Sequence, residues 1–112
     1  MAYQRDAWEK LCEEAERRYG KQPSEEFLLF LVGLNYMGRF PEGDERVVKL
    51  NLIQLGTLVL LARRGYVQEV GKDEQGWPHW EPLQALPSWT PAEEQAFLRE
   101  VLIEYFAEIW EL

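Results

Sequence analysis

The chain has 112 residues, of which 46% are hydrophobic and 29% are charged, and its formal net charge is −8. This length suits one domain, and the apolar content is high enough to offset the conformational entropy of folding, which argues against intrinsic disorder. The negative charge repels phosphate backbones and anionic lipid headgroups, so we expect neither a nucleic acid nor a membrane as partner. The sequence therefore predicts a single acidic domain over residues 1–112.

The sequence lacks the residues that stabilise folds covalently or through metals. Cys12 is the only cysteine, which excludes an intrachain disulfide, and no Cys or His cluster has the spacing of zinc ligands. The N-terminal residues lack the apolar core of a secretory signal. The longest apolar run, Leu50–Ala62, contains three polar residues and is shorter than the roughly 18 apolar residues that a membrane span needs. We expect a cytoplasmic protein without a cofactor.

Apolar spacing predicts three helices in the first part of the chain. Between Tyr3 and Tyr19, apolar residues recur three and four apart, which is typical of an amphipathic helix. The second helix follows Ser24 as N-cap and is apolar nearly all round from Phe27 to Met37. The third runs from about Asp44 to Arg64, and its middle is so rich in aliphatic residues that we expect it in the core.

The pattern changes after the third helix. Tyr66–Val70 and Trp77–Leu83 are predicted strands, and the charged segment Gly71–Gly76 is the turn between them. A final helix begins with Thr90 as N-cap and Glu93 completing a capping box, and it continues to the C-terminus. The sequence thus predicts a mainly α fold, with four helices and one β-hairpin inserted before the C-terminal helix.

The most unusual segment is Asp73–Pro82, which holds the only histidine, two tryptophans and two prolines. Trp77 and Trp80 are large, rigid rings of the type that anchors protein partners. With Trp89, they could instead line a cleft for a small molecule. The structural alternative, which we favour, is that the rings fold back over the helices and cover the core.

Two residues raise the question of catalysis. His79 lies near Glu81 and could face Glu69 across the hairpin, yet one imidazole with scattered carboxylates is a weak pattern for a metal or base site. Cys12 lies on the apolar face of the first helix and is interpreted as a small buried hydrophobic residue. The sequence contains no phosphate-binding loop and no hydrolase or zinc-protease motif. We therefore do not expect an enzyme.

The last helix has two contrasting faces. Its apolar arc covers about 200° and includes Phe106 and Trp110. An arc this wide is difficult to bury in a small core, so we expect the chain to form a homodimer. On the opposite face, Glu100, Glu104 and Glu108 are spaced four apart, where like charges repel. This acidic stripe is either a solvated face or a surface for another protein with a basic surface.

Polar residues interrupt the aliphatic third helix. Asn51, Gln54 and Thr57 are spaced by three, and Asn35 interrupts the second helix. They could line a polar pocket of the kind that small ligands use. The interpretation that we favour is that they face the surface or hydrogen-bond locally within the bundle.

The element order from about Asp44 onward resembles the back half of a winged-helix regulator, in which the third helix enters the major groove and the hairpin is the wing. In this sequence the start of that helix offers Arg46 and Lys49 beside Asp44 and Glu45. Specific DNA binding needs several phosphate neutralisations and side chains for base edges. The resemblance therefore implies a degenerate regulator that acts by protein contacts.

The string Gly76-Trp77-Pro78-His79, after an aliphatic helix and before an acidic one, also resembles a group of short bacterial proteins of uncharacterised role. This resemblance covers most of the chain after about Glu26. It implies no activity and no functional residues.

Our first hypothesis is a non-enzymatic, acidic interaction or structural module that self-associates through its C-terminal helix and hairpin. The alternatives are a small-molecule-binding domain with a Trp-lined cleft and the degenerate winged-helix regulator. The candidate binding residues are Trp77, His79, Trp80, Trp89, Phe106, Trp110, Glu100, Glu104 and Glu108.

Overall fold

The computed structural model describes residues 2–112, with side chains from residue 7 onward, so the Tyr3 side chain lies outside the described residues. The elements are α1 (Ala2–Tyr19), α2 (Glu25–Met37), α3 (Glu45–Arg63), β1 (Val67–Lys72), β2 (Pro78–Pro82) and α4 (Pro91–Ile109). Across the described residues the fold is mainly α, with four helices and one antiparallel hairpin before the last helix, as predicted. None of the described helices is both long enough and apolar enough to cross a membrane.

Side-chain caps begin three of the helices at the positions that the sequence indicates. Ser24 Oγ accepts a hydrogen bond from Phe27 N at 3.0 Å, and Asp44 Oδ1 accepts from two backbone N–H groups in the first turn of α3. Thr90 and Glu93 form the complete capping box, and the bond from the Thr90 backbone N–H lowers the pKa of the Glu93 carboxyl. These bonds satisfy N–H groups that have no partner inside the helix, which is why each helix begins there.

The chain divides into two compact units, which are described separately. Unit 1 contains the described residues up to Leu28 together with Trp89–Leu112, and unit 2 is Leu29–Ser88. The single domain over residues 1–112 stays a prediction.

Unit 1 is built on α1 and α4. The Arg99 guanidinium lies 4.7 Å from the Trp8 ring, and the Arg18 guanidinium lies 4.6 Å from the Trp110 ring. Trp8 precedes Arg18 along the chain, and their partners Arg99 and Trp110 follow in the same order. The two helices therefore run in the same direction. Arg99 also forms an ion pair with Glu25, in the first turn of α2. The buried apolar residues of unit 1 are Leu11, Ala15, Leu28, Val101, Leu102 and Phe106.

In unit 2, α2 and α3 approach each other at two glycines. A Cβ added to Gly33 would lie 2.1 Å from the Leu52 carbonyl oxygen, and one added to Gly56 would lie 2.0 Å from the Leu29 carbonyl oxygen. The earlier residue of α2, Leu29, lies against the later residue of α3, Gly56, and Gly33 lies against Leu52. The two helices are therefore antiparallel. Only glycine, which has no Cβ, lets two helix backbones come this close. The sequence pattern did not indicate this role, because glycine inside a helix ordinarily weakens it.

The core of unit 2 forms on one face of α3. Its centre is Val48, Leu52 and Leu55, and the half-buried residues packed against it are Phe30, Leu34, Met37, Val59, Trp77 and Trp80. Val47 and Leu50, on another face of the same helix, are 54% and 61% exposed. The expectation that the aliphatic residues of α3 lie in the core is therefore correct for one face only.

The hairpin pairs Glu69 with Trp80 and Gly71 with His79, and a β-bulge at Val70 shifts the register between them. Strand β1 continues through Lys72, so the prediction that the turn starts at Gly71 is wrong. Glycine and charged residues are typical of turns, but cross-strand pairing with β2 extends the strand past the bulge. That pairing depends on residues several positions away, and local composition does not reveal it.

We expect Gly33→Ala and Gly56→Ala each to destabilise the protein by about 2–3 kcal/mol, although alanine has the higher helix propensity. The added methyl group would overlap a backbone carbonyl oxygen and force the helices apart. Gly38→Ala is the matched control, because Gly38 has φ +77° but no atom within 4 Å of an added Cβ. Backbone strain alone should cost that variant about 1 kcal/mol.

Urea titrations measure the free energy of unfolding of all three variants. A variant at position 33 or 56 that is as stable as the unmodified protein would contradict the close approach of α2 and α3.

Candidate functional site

A cleft of about 360 Å³ lies between α3 and the hairpin, within unit 2. Its lining comprises Asn51, Gln54, Leu55, Leu58, Asp73, Gln75, Trp77, Pro78 and Trp80. Ligand pockets typically measure about 300–1,000 Å³ and combine apolar or aromatic surface with a few polar groups. The cleft brings together two features that are separate in the sequence, the polar residues of the third helix and the tryptophans of the hairpin.

The α3 wall of the cleft is one face of the helix. Asn51, Gln54, Leu55 and Leu58 are spaced three and four apart, so their side chains are neighbours on the helix surface. Asn51 and Gln54 are exposed, Leu58 is half-buried and Leu55 is buried, so the amides lie at the more open part of the wall. Thr57 instead donates a hydrogen bond to the Ile53 carbonyl oxygen of its own helix. The favoured interpretation, that these polar residues face the surface or hydrogen-bond locally, is therefore confirmed, and Asn51 and Gln54 also line the cleft.

The loop between the strands determines where Trp77 points. Asp73 Oδ1 accepts hydrogen bonds from the backbone N–H groups of Gln75 and Trp77, each at 2.9 Å. The Gly76 N–H donates to the Asp73 carbonyl oxygen at 3.1 Å, and Gly76 adopts φ +90°, a conformation that favours glycine. The loop is thus held by its own hydrogen bonds and presents Trp77 in one direction.

A second cleft, of about 490 Å³, shares two residues with the first. Trp77 and Gln75 line both clefts, and the second is completed by Arg39, Pro41, Glu42 and Glu74. Arg39 donates a hydrogen bond to the Gln75 carbonyl oxygen at 2.8 Å, which ties the α2–α3 connection to the hairpin loop. The two clefts therefore adjoin at Trp77.

The two hairpin tryptophans, Trp77 and Trp80, pack on the core and are also partly exposed. Both are half-buried and pack against the α3 cluster of unit 2. The Trp80 ring also lies 5.8 Å from the Tyr36 ring of α2, tilted by 46°. The interpretation that these rings cover the core is confirmed. Since both rings also line the cleft, covering the core and offering a binding surface are compatible.

Three aromatic candidates lie in unit 1 instead. Trp89 is half-buried and packs against Phe97 with ring centroids 4.6 Å apart, whereas the cleft lining comes entirely from unit 2. Phe106 is fully buried, so its place is in the core and not on a binding surface. Trp110 is half-buried between Phe106 and Tyr19. Nearness along the sequence and helical spacing grouped these residues as binding candidates, but packing separates them.

The acidic stripe of α4 is exposed. Glu100, Glu104 and Glu108 all lie on the surface, as their spacing predicts. Of the apolar arc on the same helix, Ile109 is 46% exposed, and Leu112, just beyond the helix, is 51% exposed. The basic partner for the stripe stays a prediction.

His79 is exposed on β2, opposite Gly71. Glu69 pairs with Trp80, the residue after His79, and Glu81 accepts a hydrogen bond from the Gln68 side chain. The hairpin therefore does not place Glu69 directly opposite the imidazole. Among the residues whose side chains are described, no group of three His, Cys, Asp or Glu residues could hold a metal ion.

Cys12 is half-buried on α1, so the prediction that it is a buried residue is correct only in part. Burial raises the pKa of its thiol, which keeps the sulfur protonated at neutral pH. A nucleophilic cysteine needs the opposite shift, so the surroundings of Cys12 suit a structural residue.

Comparisons with models of protein families, with curated proteins and with solved structures gave no match for this chain. The resemblance of the Gly76–His79 string to short bacterial proteins stays a prediction. The candidate site rests on the geometry of unit 2.

We expect Asp73→Ala to loosen the hairpin loop, because it removes the acceptor that two backbone N–H groups share. The loss should be about 1–2 kcal/mol, so amide hydrogen exchange at Gln75 and Trp77 should be roughly tenfold faster. Asp73→Asn keeps the Oδ1 acceptor and is the matched control, with exchange close to that of the unmodified protein. Equal exchange rates in the two variants would contradict this role of the Asp73 side chain.

Proposed function

We propose that the chain is a non-enzymatic binding module whose recognition surface is the pair of clefts that adjoin at Trp77. The observation that carries the proposal is the convergence of Trp77 and Trp80 with the exposed amides of Asn51 and Gln54 on one cleft. Aromatic surface contributes binding energy, and a few polar groups give direction and specificity.

The chemistry of the lining favours recognition over catalysis. The amides of Asn51 and Gln54 donate and accept hydrogen bonds but do not exchange protons at neutral pH. Asp73 and Arg39 already hydrogen-bond backbone groups of the loop, which assigns them a structural task. Acid–base catalysis needs a titratable group within reach of a bound substrate, and the two further carboxylates, Glu42 and Glu74, line only the second cleft. The lining suits a ligand held by stacking and hydrogen bonds.

The ordered loop between β1 and β2 also supports a role in ligand binding. Ordering flexible side chains and loops at a binding surface costs free energy that reduces affinity. Here the Asp73 hydrogen bonds hold the loop, and packing on the α3 cluster holds both indole rings. A ligand would therefore meet a surface that is already ordered.

We expect ligands found by screening a fragment library to shift the backbone amide resonances of residues 51–58 and 73–80. The double variant Asn51→Ala, Gln54→Ala should weaken their binding at least about tenfold, because it removes two hydrogen-bonding amides. Its free energy of unfolding should change by less than about 0.5 kcal/mol per site, since both side chains are exposed. Two-dimensional NMR of the labelled protein measures both the location and the affinity.

The matched control is Glu104→Gln, an exposed polar substitution in unit 1, which should bind as the unmodified protein does. Ligands that shift only unit 1, or that bind the double variant with unchanged affinity, would contradict the proposed surface.

Self-association is a second candidate function, and a groove within unit 1 with apolar and charged lining supports it. The groove has a volume of about 540 Å³ and is lined by Ala7, Glu9, Lys10, Leu11, Glu13, Ile103, Ala107 and Leu112. Ile109 is also half exposed. A second copy related by two-fold symmetry would cover these apolar groups. Because Phe106 is buried, the area left for a partner is smaller than the apolar arc of α4 alone suggests.

If the chain forms a homodimer through this surface, native mass spectrometry at micromolar concentration should show twice the monomer mass. Leu112→Lys should give monomers, because Leu112 lines the groove and burying an ammonium group in an interface is costly. Val47→Lys is the matched control, since Val47 is similarly exposed but lies in unit 2. A strictly monomeric mass for the unmodified protein would exclude this second candidate.

A winged-helix regulator that acts by protein contacts stays an alternative. The order of α3, hairpin and α4 suits it. At the start of α3, Lys49 forms an ion pair with Glu45 at 3.1 Å, so this cation is already paired within the helix. This pairing favours protein contacts over phosphate contacts for such a regulator.

A further inference from the structure

We propose that the two clefts beside Trp77 bind a proline-rich peptide in the polyproline II conformation that carries a basic residue. This inference rests on the proposed function and names the class of ligand.

The first reason is the match between the cleft lining and the polyproline II helix. That helix makes no internal hydrogen bonds, so its carbonyl oxygens are available to donors on a partner, and its proline rings are rigid apolar surfaces. Trp77, Pro78 and Trp80 offer rigid ring surfaces of their own, and Asn51 and Gln54 offer amide donors. Aromatic-lined grooves recognise proline-rich segments in this manner, because the preformed peptide helix loses little entropy on binding.

The second reason is the arrangement of the clefts. Trp77 and Gln75 line both, so a ligand that contacts these two residues can extend into both clefts. A polyproline II segment rises about 3.1 Å per residue and repeats every three residues, which lets one short peptide place side chains in both clefts. A compact ligand would occupy only one of them.

The third reason is charge. The clefts are lined by three carboxylates, those of Glu42, Asp73 and Glu74, against the single guanidinium of Arg39. Arg39 in turn donates to the Gln75 carbonyl oxygen. A basic residue on the peptide complements this excess of negative charge, and indole faces also attract cations. The charge therefore favours a lysine or arginine among the prolines.

The test is an NMR titration of the labelled full chain with the capped peptide Pro-Pro-Leu-Pro-Pro-Lys-Pro-Pro. We expect shifts at residues 51–58 and 73–80, including the indole N–H signals of Trp77 and Trp80. The same peptide with alanine at each proline should bind at least about tenfold more weakly, because it must lose more conformational freedom. The peptide with glutamate for lysine should also bind more weakly, and salt should reduce that difference.

On the protein side, Asn51→Ala, Gln54→Ala should weaken binding of the proline peptide at least about tenfold, whereas Glu104→Gln should not. Equal binding of the proline and alanine peptides would overturn the inference. So would shifts confined to unit 1, or shifts at the clefts that depend on protein concentration without peptide, which would identify a second copy as the occupant.

The same spectra separate this inference from the proposed function. If library fragments shift the cleft residues and the proline peptide does not, the ligand class is wrong and the binding surface stands. If neither shifts them, both are wrong.

Discussion

The close approach of α2 and α3 at Gly33 and Gly56 is the constraint on which the rest of unit 2 depends. Because each glycine lies against a backbone carbonyl of the other helix, the spacing and direction of the pair are determined without any large side chain between them. That contact turns the Leu52 face of α3 toward the core and leaves Asn51 and Gln54 on the surface. The polar wall of the cleft is thus a consequence of how two backbones meet.

The hairpin supplies the other wall, and it does so while covering the core. Trp77 and Trp80 each pack against the α3 cluster and also line the cleft. A ring held by packing cannot turn away to suit a ligand without exposing apolar surface, which costs about 25 cal/mol per Å². The loop bonds of Asp73 restrict Trp77 further. The same interactions that stabilise unit 2 therefore preform its recognition surface.

Much of the fold, but only half of the site, could be predicted from the residues alone. Ser24, Asp44 and Thr90 begin helices as expected because capping bonds join residues two or three positions apart. The tryptophans of the hairpin stand out by composition. Composition does not show which aromatic residues of the chain share a surface. Trp89 lies in unit 1, and Phe106 is buried in the core. Helical spacing indicates a common face, and packing decides whether that face is covered.

By itself, the acidic sequence of this chain determined four helices, one hairpin and their order. These features depend on periodicity, caps and turn residues, which are interactions between near neighbours. Tertiary structure decided that Gly33 and Gly56 are points of contact, that β1 extends past its bulge, and that Asn51 lies across a cleft from Trp80. Those relations join residues far apart in the chain, and they follow from backbone approach and side-chain packing, to which local preferences contribute little.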